Sequence, residues 1–207
     1  MSMDISIRRA QPDDIDFAVP LIYSSGPHEF DYIFNLGQKT ALGYLSFAYP
    51  TKLGSQSHRV CTVATLNNKV VGIGSFYTSR DYTRLGFGNF WNVLKFFGPQ
   101  NLLKISQRTS RIETIIPAPE ADTGFISQLG VAEEFRGYGI GTALIRHFIE
   151  RARALGLRKC VLDVAMTNSK AQALYERLGF RVIQESKWRY SHPKIHVPGQ
   201  RRMELIV

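Results

Sequence analysis

The sequence Arg136-Gly137-Tyr138-Gly139-Ile140-Gly141-Thr142 lies between a strand-like run and a helix-like run. The preceding run, residues 125–131, is mainly apolar, as in a buried strand. The following run, residues 140–155, repeats apolar side chains at helical spacing and ends before Gly156, a residue type common after helices. The pattern therefore predicts a strand, a glycine-rich turn and an amphipathic helix.

A glycine-rich turn at a helix N-terminus is suited to holding an anion. The first amides of a helix have no intrahelical acceptors and carry the positive end of the helix dipole. Glycines let the backbone approach a phosphate closely, and Arg136 adds a fixed positive charge. The turn departs from the dinucleotide-binding pattern at Thr142 and lacks the lysine of a P-loop. Two interpretations remain: an anion site, or a turn that binds nothing.

A second segment, residues 163–180, contains another helix signal. Asn168 belongs to the residue types preferred at helix N-caps, and Gly179 stands where a helix would end. Between them, Ala171, Leu174 and Leu178 form an apolar face. Taken alone, the segment predicts an amphipathic helix.

The remaining chain alternates between strand and helix patterns. Further strands are predicted at residues 5–9, 60–66, 70–77, 159–164, 180–186 and 202–207, and further helices at 15–23, 89–97, 100–111 and, irregularly, up to about residue 50. Asn67-Asn68 predicts a tight hairpin turn. A strand–helix–strand crossover makes the middle of the sheet parallel, whereas the hairpin makes the other half antiparallel. The fold class is therefore α/β, with a mixed central β-sheet flanked by helices.

Length and composition favour one domain. The 207 residues are 44% hydrophobic, 12% aromatic and 21% charged, which excludes a disordered, collagen-like or disulfide-stapled chain. Without repeats or linkers, residues 1–207 are predicted to form a single domain with an aromatic-rich helical insert at about 78–123. Cys61 and Cys160 are predicted to be buried free thiols. Residues 1–5 carry no leader-like apolar core and no run is long enough to span a membrane, so a cytoplasmic location is expected.

The net charge of +9 is unevenly distributed. Residues 1–57 contain 4 basic and 6 acidic side chains, whereas residues 58–207 contain 22 and 11. This excess is typical either of a protein with an anionic partner or of a well-solvated surface. Neither a zinc-finger spacing nor a basic zipper is present, so nucleic acid is not an expected partner.

Together, the two motifs resemble those of the GCN5-related N-acetyltransferase (GNAT) superfamily, closely over residues 125–180. The family pattern Gln/Arg-x-x-Gly-x-Gly/Ala is matched at Arg136, Gly139 and Gly141. A second family pattern is matched at Asn168, Ala171, Tyr175, Gly179 and Phe180. The resemblance implies the GNAT, or acyl-CoA N-acyltransferase, fold.

The resemblance also implies acetyl-CoA as co-substrate, with no metal. In the family, the phosphate turn holds the pyrophosphate, a bulged strand meets the pantetheine arm and the acetyl carbonyl, the asparagine contacts the cofactor, and the tyrosine commonly protonates the departing thiolate. Carried over by motif, the implied cofactor-binding residues are Leu129, Gly130, Val131, Arg136, Gly137, Tyr138, Gly139, Ile140, Gly141, Thr142, Asn168 and Tyr175. Tyr175 is thus the implied general acid, with a core aromatic as its structural alternative.

The implied reaction is direct transfer of the acetyl group to a primary amine of an unidentified acceptor, either a small molecule or a peptide or protein. Asp163 is the candidate general base, because it lies where the ribosomal-protein alanine acetyltransferases of this family have a glutamate. Aspartate is one methylene shorter, which leaves a water relay or a purely structural role open. Other candidate bases are Glu120, Asp122, His192 and Glu29.

The acceptor site is expected to be built by the first helices, the insert and residues 188–196. The aromatic insert is either a lid, a binding wall or part of the core. The alternative to an enzyme is a non-catalytic CoA-binding module that recognises an acidic macromolecular partner through its basic face. A monomer or homodimer, without a membrane partner, is expected.

Overall fold

The computed structural model describes residues 5–207. The expectation about a leader concerns mainly residues 1–4, which lie outside the described residues. Seven strands are described: β1 Ile5–Arg9, β2 Cys61–Leu66, β3 Lys69–Thr78, β4 Thr123–Val131, β5 Lys159–Ala165, β6 Arg181–Ser186 and β7 Gln200–Ile206. The α-helices are α1 Ile15–Ser24, α2 Pro27–Phe34, α3 Ala41–Ala48, α4 Ser79–Phe97, α5 Pro99–Glu113, α6 Ile140–Ala154 and α7 Ser169–Arg177.

The strands form one mixed sheet in the order β1-β2-β3-β4-β5-β7-β6. β4 and β5 pair in parallel, joined by the crossover helix α6, and the other neighbouring strands are antiparallel. The β2–β3 hairpin turns at Asn67 and Asn68, which have φ values of 49° and 62°. Asparagine tolerates this left-handed conformation. The predicted mixed α/β sheet flanked by helices is confirmed.

Helices cover both faces of the sheet. Alternate residues of β3 point in opposite directions, so their contacts show which helices lie on each face. A Cβ on Gly72 would lie 2.7 Å from Ile140, and a Cβ on Gly74 would lie 2.7 Å from Phe148, so both glycines face α6. Ile73, between them, packs instead in the cluster formed with α1 and α3. α2, α3, α4 and α5 share a further apolar cluster with one another.

The central strand β4 contains a bulge. Gly130 pairs with Ile73 and Ser127 pairs with Ser75, so Gln128 and Leu129 together oppose the single residue Gly74. Gln128 has a φ of 54°, a left-handed conformation that is uncommon for a non-glycine residue. Beyond the Ile126–Leu162 pair, β4 and β5 no longer pair with each other, so the sheet opens between them.

The first helix of the insert begins earlier than the sequence predicted. α4 starts at Ser79 rather than near residue 89. The Oγ1 of Thr78 accepts a hydrogen bond from the Asp81 amide, and the Asp81 carboxylate accepts one from the Thr78 amide at 3.0 Å. This reciprocal capping satisfies two amides that a helix start leaves without partners.

The aromatic side chains of the insert are divided between core and surface. Phe97 is fully buried and contacts Phe34 and Tyr44. By contrast, Phe87 and Trp91 of α4 are at least half exposed. The insert is therefore only partly core.

Cys61 and Cys160 are free and buried, as predicted. Burial raises the pKa of each thiol to about 12, so both are protonated and unreactive near neutral pH. Between residues 5 and 207, no helix combines the length and apolar character needed to cross a lipid bilayer.

Candidate functional site

A cavity of about 1000 Å³ opens beside the bulge of β4 and the gap between β4 and β5. Two sets of residues line it. The motif half consists of lining residues between positions 125 and 177, from β4, the glycine-rich turn, β5 and α7. The helical half consists of lining residues between positions 24 and 119, mainly from α1–α5 and the loop before β2. Gln200 of β7 also lines the cavity.

The glycine-rich turn lines the motif half, with one exception among the implied cofactor-binding residues. The contributing residues are Arg136, Gly137, Gly139, Ile140, Gly141 and Thr142. Tyr138 does not line the cavity and is 55% exposed. Gly137 and Gly139 have φ values of 86° and 82°, and a Cβ on either would meet nothing within 4 Å. Glycine is needed at these positions for conformation, and the space in front of the α6 N-terminus is open.

The bulge of β4 also lines the motif half, through Gln128, Leu129, Gly130 and Val131. Its conformation is held by the Gln128 side chain. Gln128 Oε1 accepts a hydrogen bond from Ser75 Oγ at 2.9 Å, and its Nε2 donates to the Ser55 carbonyl at 3.2 Å. The structural role of Gln128 is not predicted by the sequence, because no local pattern marks a side chain whose partners lie on a neighbouring strand and a distant loop.

On α7, Asn168 and Tyr175 line the same half of the cavity. Asn168 Oδ1 accepts a hydrogen bond from the Ala171 amide at 3.1 Å, so this side chain caps the helix as predicted. Tyr175 is only 7% exposed, and its ring lies 6.2 Å from that of Phe180. Burial raises the pKa of Tyr175 to about 12. The phenol is therefore protonated at neutral pH and is able to donate a proton.

Asp163 lines the cavity, but both of its carboxylate oxygens are engaged by Arg202. Nε of Arg202 donates to Oδ1 at 3.0 Å and Nη2 donates to Oδ2 at 2.8 Å. Arg202 also donates to the carbonyls of Pro117 and Ala118. Burial raises the pKa of Asp163, and the ion pair with Arg202 offsets part of that rise. The role of Asp163 as general base stays a prediction, and the bidentate ion pair weighs against it.

Of the other candidate bases, Glu29 alone lines the cavity among the residues that the structure describes. Burial raises the pKa of Glu29. Three smaller effects lower it in part: a hydrogen bond from its own backbone amide, the charge of nearby His28 and a hydrogen bond from Gln200. Glu120 is paired with Lys159 at 2.9 Å, outside the cavity. His192 Nδ1 accepts hydrogen bonds from the amides of two following residues.

α4 and α5 form a wall of the helical half. The lining residues of α4 are Tyr82, Leu85, Gly86, Asn89, Phe90 and Val93, and those of α5 are Leu102, Ile105, Ser106, Thr109, Ser110, Ile112 and Glu113. The expected contribution of residues 188–196 is wrong, since none of them lines the cavity. Trp188 packs instead on Tyr32, with ring centroids 4.8 Å apart.

No group of three or more His, Cys, Asp or Glu side chains within residues 5–207 is arranged to hold a metal ion.

Comparison with known proteins agrees with this fold. Residues 101–180 match the model of the acetyltransferase (GNAT) family. The chain is 42% identical over 71 residues to the 5-NmdU N-acetyltransferase of Pseudomonas phage PaMx11, a match that covers 34% of this chain and 46% of that protein. The chain thus spans less than half the length of this curated relative.

Two solved structures resemble the chain over nearly its full length. An N-acetyltransferase from Staphylococcus aureus Mu50 aligns with a TM-score of 0.70 and 18% identity, covering 97% of this chain and 100% of that one. A GCN5-related N-acetyltransferase from Kribbella flavida aligns with a TM-score of 0.59 and 24% identity, covering 98% of each chain. These likenesses concern the fold, whereas the family match covers the glycine-rich turn and α7. Residues 101–180, which include the glycine-rich turn and α7, thus match the acetyltransferase (GNAT) family, and the whole chain shares the fold of solved GCN5-related N-acetyltransferases.

Proposed function

We propose that the protein is an acetyl-CoA-dependent N-acetyltransferase that moves an acetyl group directly to a primary amine. The observation that carries the proposal is one cavity whose walls include the α6 N-terminus, the β4 bulge, Tyr175 and the buried carboxyl of Glu29. These groups supply anion binding, carbonyl polarisation, an acid and a base. Bound acetyl-CoA would supply the acetyl group as a thioester.

The residues present fit the phosphates of acetyl-CoA. The open space in front of Gly137 and Gly139 leaves room for an anion against the amides at the start of α6. Arg136, Lys170 and Arg177 are the basic side chains among the described cavity-lining residues, and all three belong to the motif half. Several such contacts, each worth about 0.3–1 kcal/mol at a helix terminus, together suit a diphosphate.

The β4 bulge is suited to polarising a thioester carbonyl. Beyond Ile126, β4 lacks the β5 partner that would otherwise pair with its backbone. Amides of this stretch that face the gap, rather than β3, would act on the developing oxyanion as preorganised donors do in acyl-transfer enzymes. Gln128, held by Ser75 and Ser55, keeps the bulge in this conformation.

Tyr175 would act as the general acid and Glu29 as the general base. When the amine nitrogen bonds to the acetyl carbon, Glu29 takes the proton that the nitrogen releases. As the carbon–sulfur bond breaks, the Tyr175 hydroxyl gives its proton to the thiolate. Glu29 is preferred to Asp163 because one of its oxygens accepts from neutral Gln200 at 2.7 Å, whereas both oxygens of Asp163 are held by a cation.

We also propose that the chain is one domain in which residues 78–123 are an insert. α4 and α5 of that segment share an apolar cluster with α2 and α3, and they line the same cavity as the family motifs. The insert would then build the acceptor side of the active site.

The proposed function is tested by cofactor binding and thiol release. Acetyl-CoA is titrated calorimetrically into the wild type, Arg136→Glu and Arg146→Glu, an exposed position on α6 that does not line the cavity. We expect Arg136→Glu to lose at least tenfold in affinity and the control to lose much less. No binding by folded wild type would overturn the proposal.

Turnover is then measured with a panel of primary amines. Tyr175→Phe is expected to lower kcat by about 10²–10⁴, the usual contribution of a general acid. Tyr138→Phe, an exposed tyrosine outside the cavity, is the matched control. Cofactor binding without turnover of any amine would instead support a non-catalytic CoA-binding module.

A further inference from the structure

The cavity is electrostatically divided. Its basic lining residues within the described chain all belong to the motif half, as given above. The acidic lining residues of the helical half are Glu29 and Glu113. The carboxylate of Asp163, which lies on β5 in the motif half, is neutralised by Arg202. The two halves therefore favour opposite charges: an anion in the motif half and a cation in the helical half.

The basic tail of the chain does not alter this division. Lys187, Arg189, Lys194 and Arg201 do not line the cavity. Arg201 donates to Glu185 at 2.7 Å and to Gln172 at 2.8 Å, so its guanidinium is engaged along the sheet edge. An acidic acceptor would thus find no basic partner among the residues that line the helical half.

Apart from its two carboxylates, the helical half is neutral and mainly apolar. Its large apolar lining residues include Phe30, Leu85, Phe90, Leu102, Ile105 and Ile112. Such walls lose little by excluding water and gain by covering apolar surface of a ligand.

We propose that the acceptor is a primary amine carried on an uncharged, mainly apolar body. The ammonium faces Glu29 and gives one proton to solvent to become the nucleophilic amine, and the apolar body lies against α4 and α5. A carboxylate or phosphate on the acceptor is disfavoured, since Glu29 and Glu113 repel it and none of the described residues that line the helical half is a cation. This inference rests on the proposed function, whose acceptor it specifies.

The experiment compares two matched pairs of amines in the thiol-release assay. Tyramine and tyrosine differ only in a carboxylate, and 2-phenylethylamine and ethylamine differ only in the aromatic ring. We expect kcat/KM to be at least tenfold higher for the first member of each pair. Equal values within either pair, or a preference for tyrosine, would overturn this inference while leaving the proposed function standing.

Placing a cation in the helical half tests whether the lack of one there disfavours acidic acceptors. Ser106 is exposed on α5 and lines the cavity, whereas its neighbour Gln107 is exposed but does not. Ser106→Arg is expected to lower the tyramine-to-tyrosine ratio of kcat/KM about tenfold, and Gln107→Arg to change it much less. An unchanged ratio in Ser106→Arg, or equal changes in both variants, would contradict the inference.

Binding of tyramine to the CoA-saturated protein, measured by calorimetry, separates the two proposals. Binding without turnover would support the acceptor class and overturn the enzymatic function. If tyramine and 2-phenylethylamine neither bind nor turn over, the proposed acceptor class is overturned.

Discussion

Nε2 of Gln200 donates a hydrogen bond to Oε1 of Glu29 over 2.7 Å, joining β7 to α2 across 171 positions of sequence. The bond orients a carboxyl that is mostly buried in the cavity wall. Burial raises the pKa of Glu29 and the hydrogen bond from Gln200 lowers it in part. A carboxyl whose pKa lies closer to the working pH is a better general base than an ordinary surface carboxylate.

Glu29→Gln is expected to lower kcat/KM for amine acetylation by about 10² or more, because the amide cannot accept the proton that the amine releases. Acetyl-CoA affinity is expected to stay within a few-fold of wild type, since Glu29 belongs to the helical half. The measurements are thiol release and calorimetric titration. Glu113→Gln is the matched control: this carboxylate lines the same cavity, is exposed and accepts from the Tyr82 hydroxyl. Equal losses in both variants would count against Glu29 as the base.

The same variant is expected to change the pH dependence of stability. Because the folded pKa of Glu29 is raised, its contribution to stability is fully present below the unfolded pKa, about 4.3. It is lost as the pH rises through the folded pKa, where a buried carboxyl must ionise. Glu29→Gln is therefore expected to have the higher free energy of unfolding at neutral pH, with the gain over wild type shrinking towards pH 4. Urea unfolding at several pH values measures this difference, and a variant less stable than wild type at pH 7 would contradict it.

Asp163→Asn is expected to destabilise the fold by about 3–5 kcal/mol, because it leaves the buried guanidinium of Arg202 without its counter-charge. Equilibrium unfolding in urea measures the loss. Glu150→Gln, which breaks an exposed pair with Arg153 at 2.7 Å, is the control and is expected to cost less than about 1 kcal/mol. A folded Asp163→Asn variant with wild-type stability and a lost kcat would instead support the base role of Asp163.

Gly130→Ala is expected to destabilise the protein by about 1–3 kcal/mol through overpacking. A Cβ at this position would lie 2.3 Å from the Leu21 carbonyl oxygen, so α1 and the β4 bulge would have to separate. Gly86→Ala is the control: it lies in α4 with nothing within 4 Å of its Cβ and is expected to gain about 0.5–1 kcal/mol. Thermal unfolding of both variants provides the comparison, and a Gly130→Ala variant as stable as wild type would show that the contact yields without cost.

Local patterns predicted the motif half well. The helix at α6, its glycine-rich start and the asparagine cap of α7 depend on residues within one or two turns of each other. Positive φ at Gly137 and Gly139 is likewise a local requirement that only a few residue types meet. The start of α4 was missed although its capping signal at Thr78 and Asp81 is local, because Gly86 and Gly88 interrupt the helical pattern. Gly88 has a tertiary reason: a Cβ there would lie 2.2 Å from the Gly54 amide nitrogen.

By itself, the sequence determined the order of the elements, the mixed sheet and the conformation of the glycine-rich turn, because periodicity, capping and turn preferences act over short stretches of chain. The tertiary structure alone decided which carboxyl is available. Asp163 lies within β5 and Glu29 in the first turn of α2. Their difference comes from Arg202 and Gln200, which are 39 and 171 residues away. Burial, ion pairing and the charge division of the cavity depend on such distant partners, and a linear pattern does not contain them.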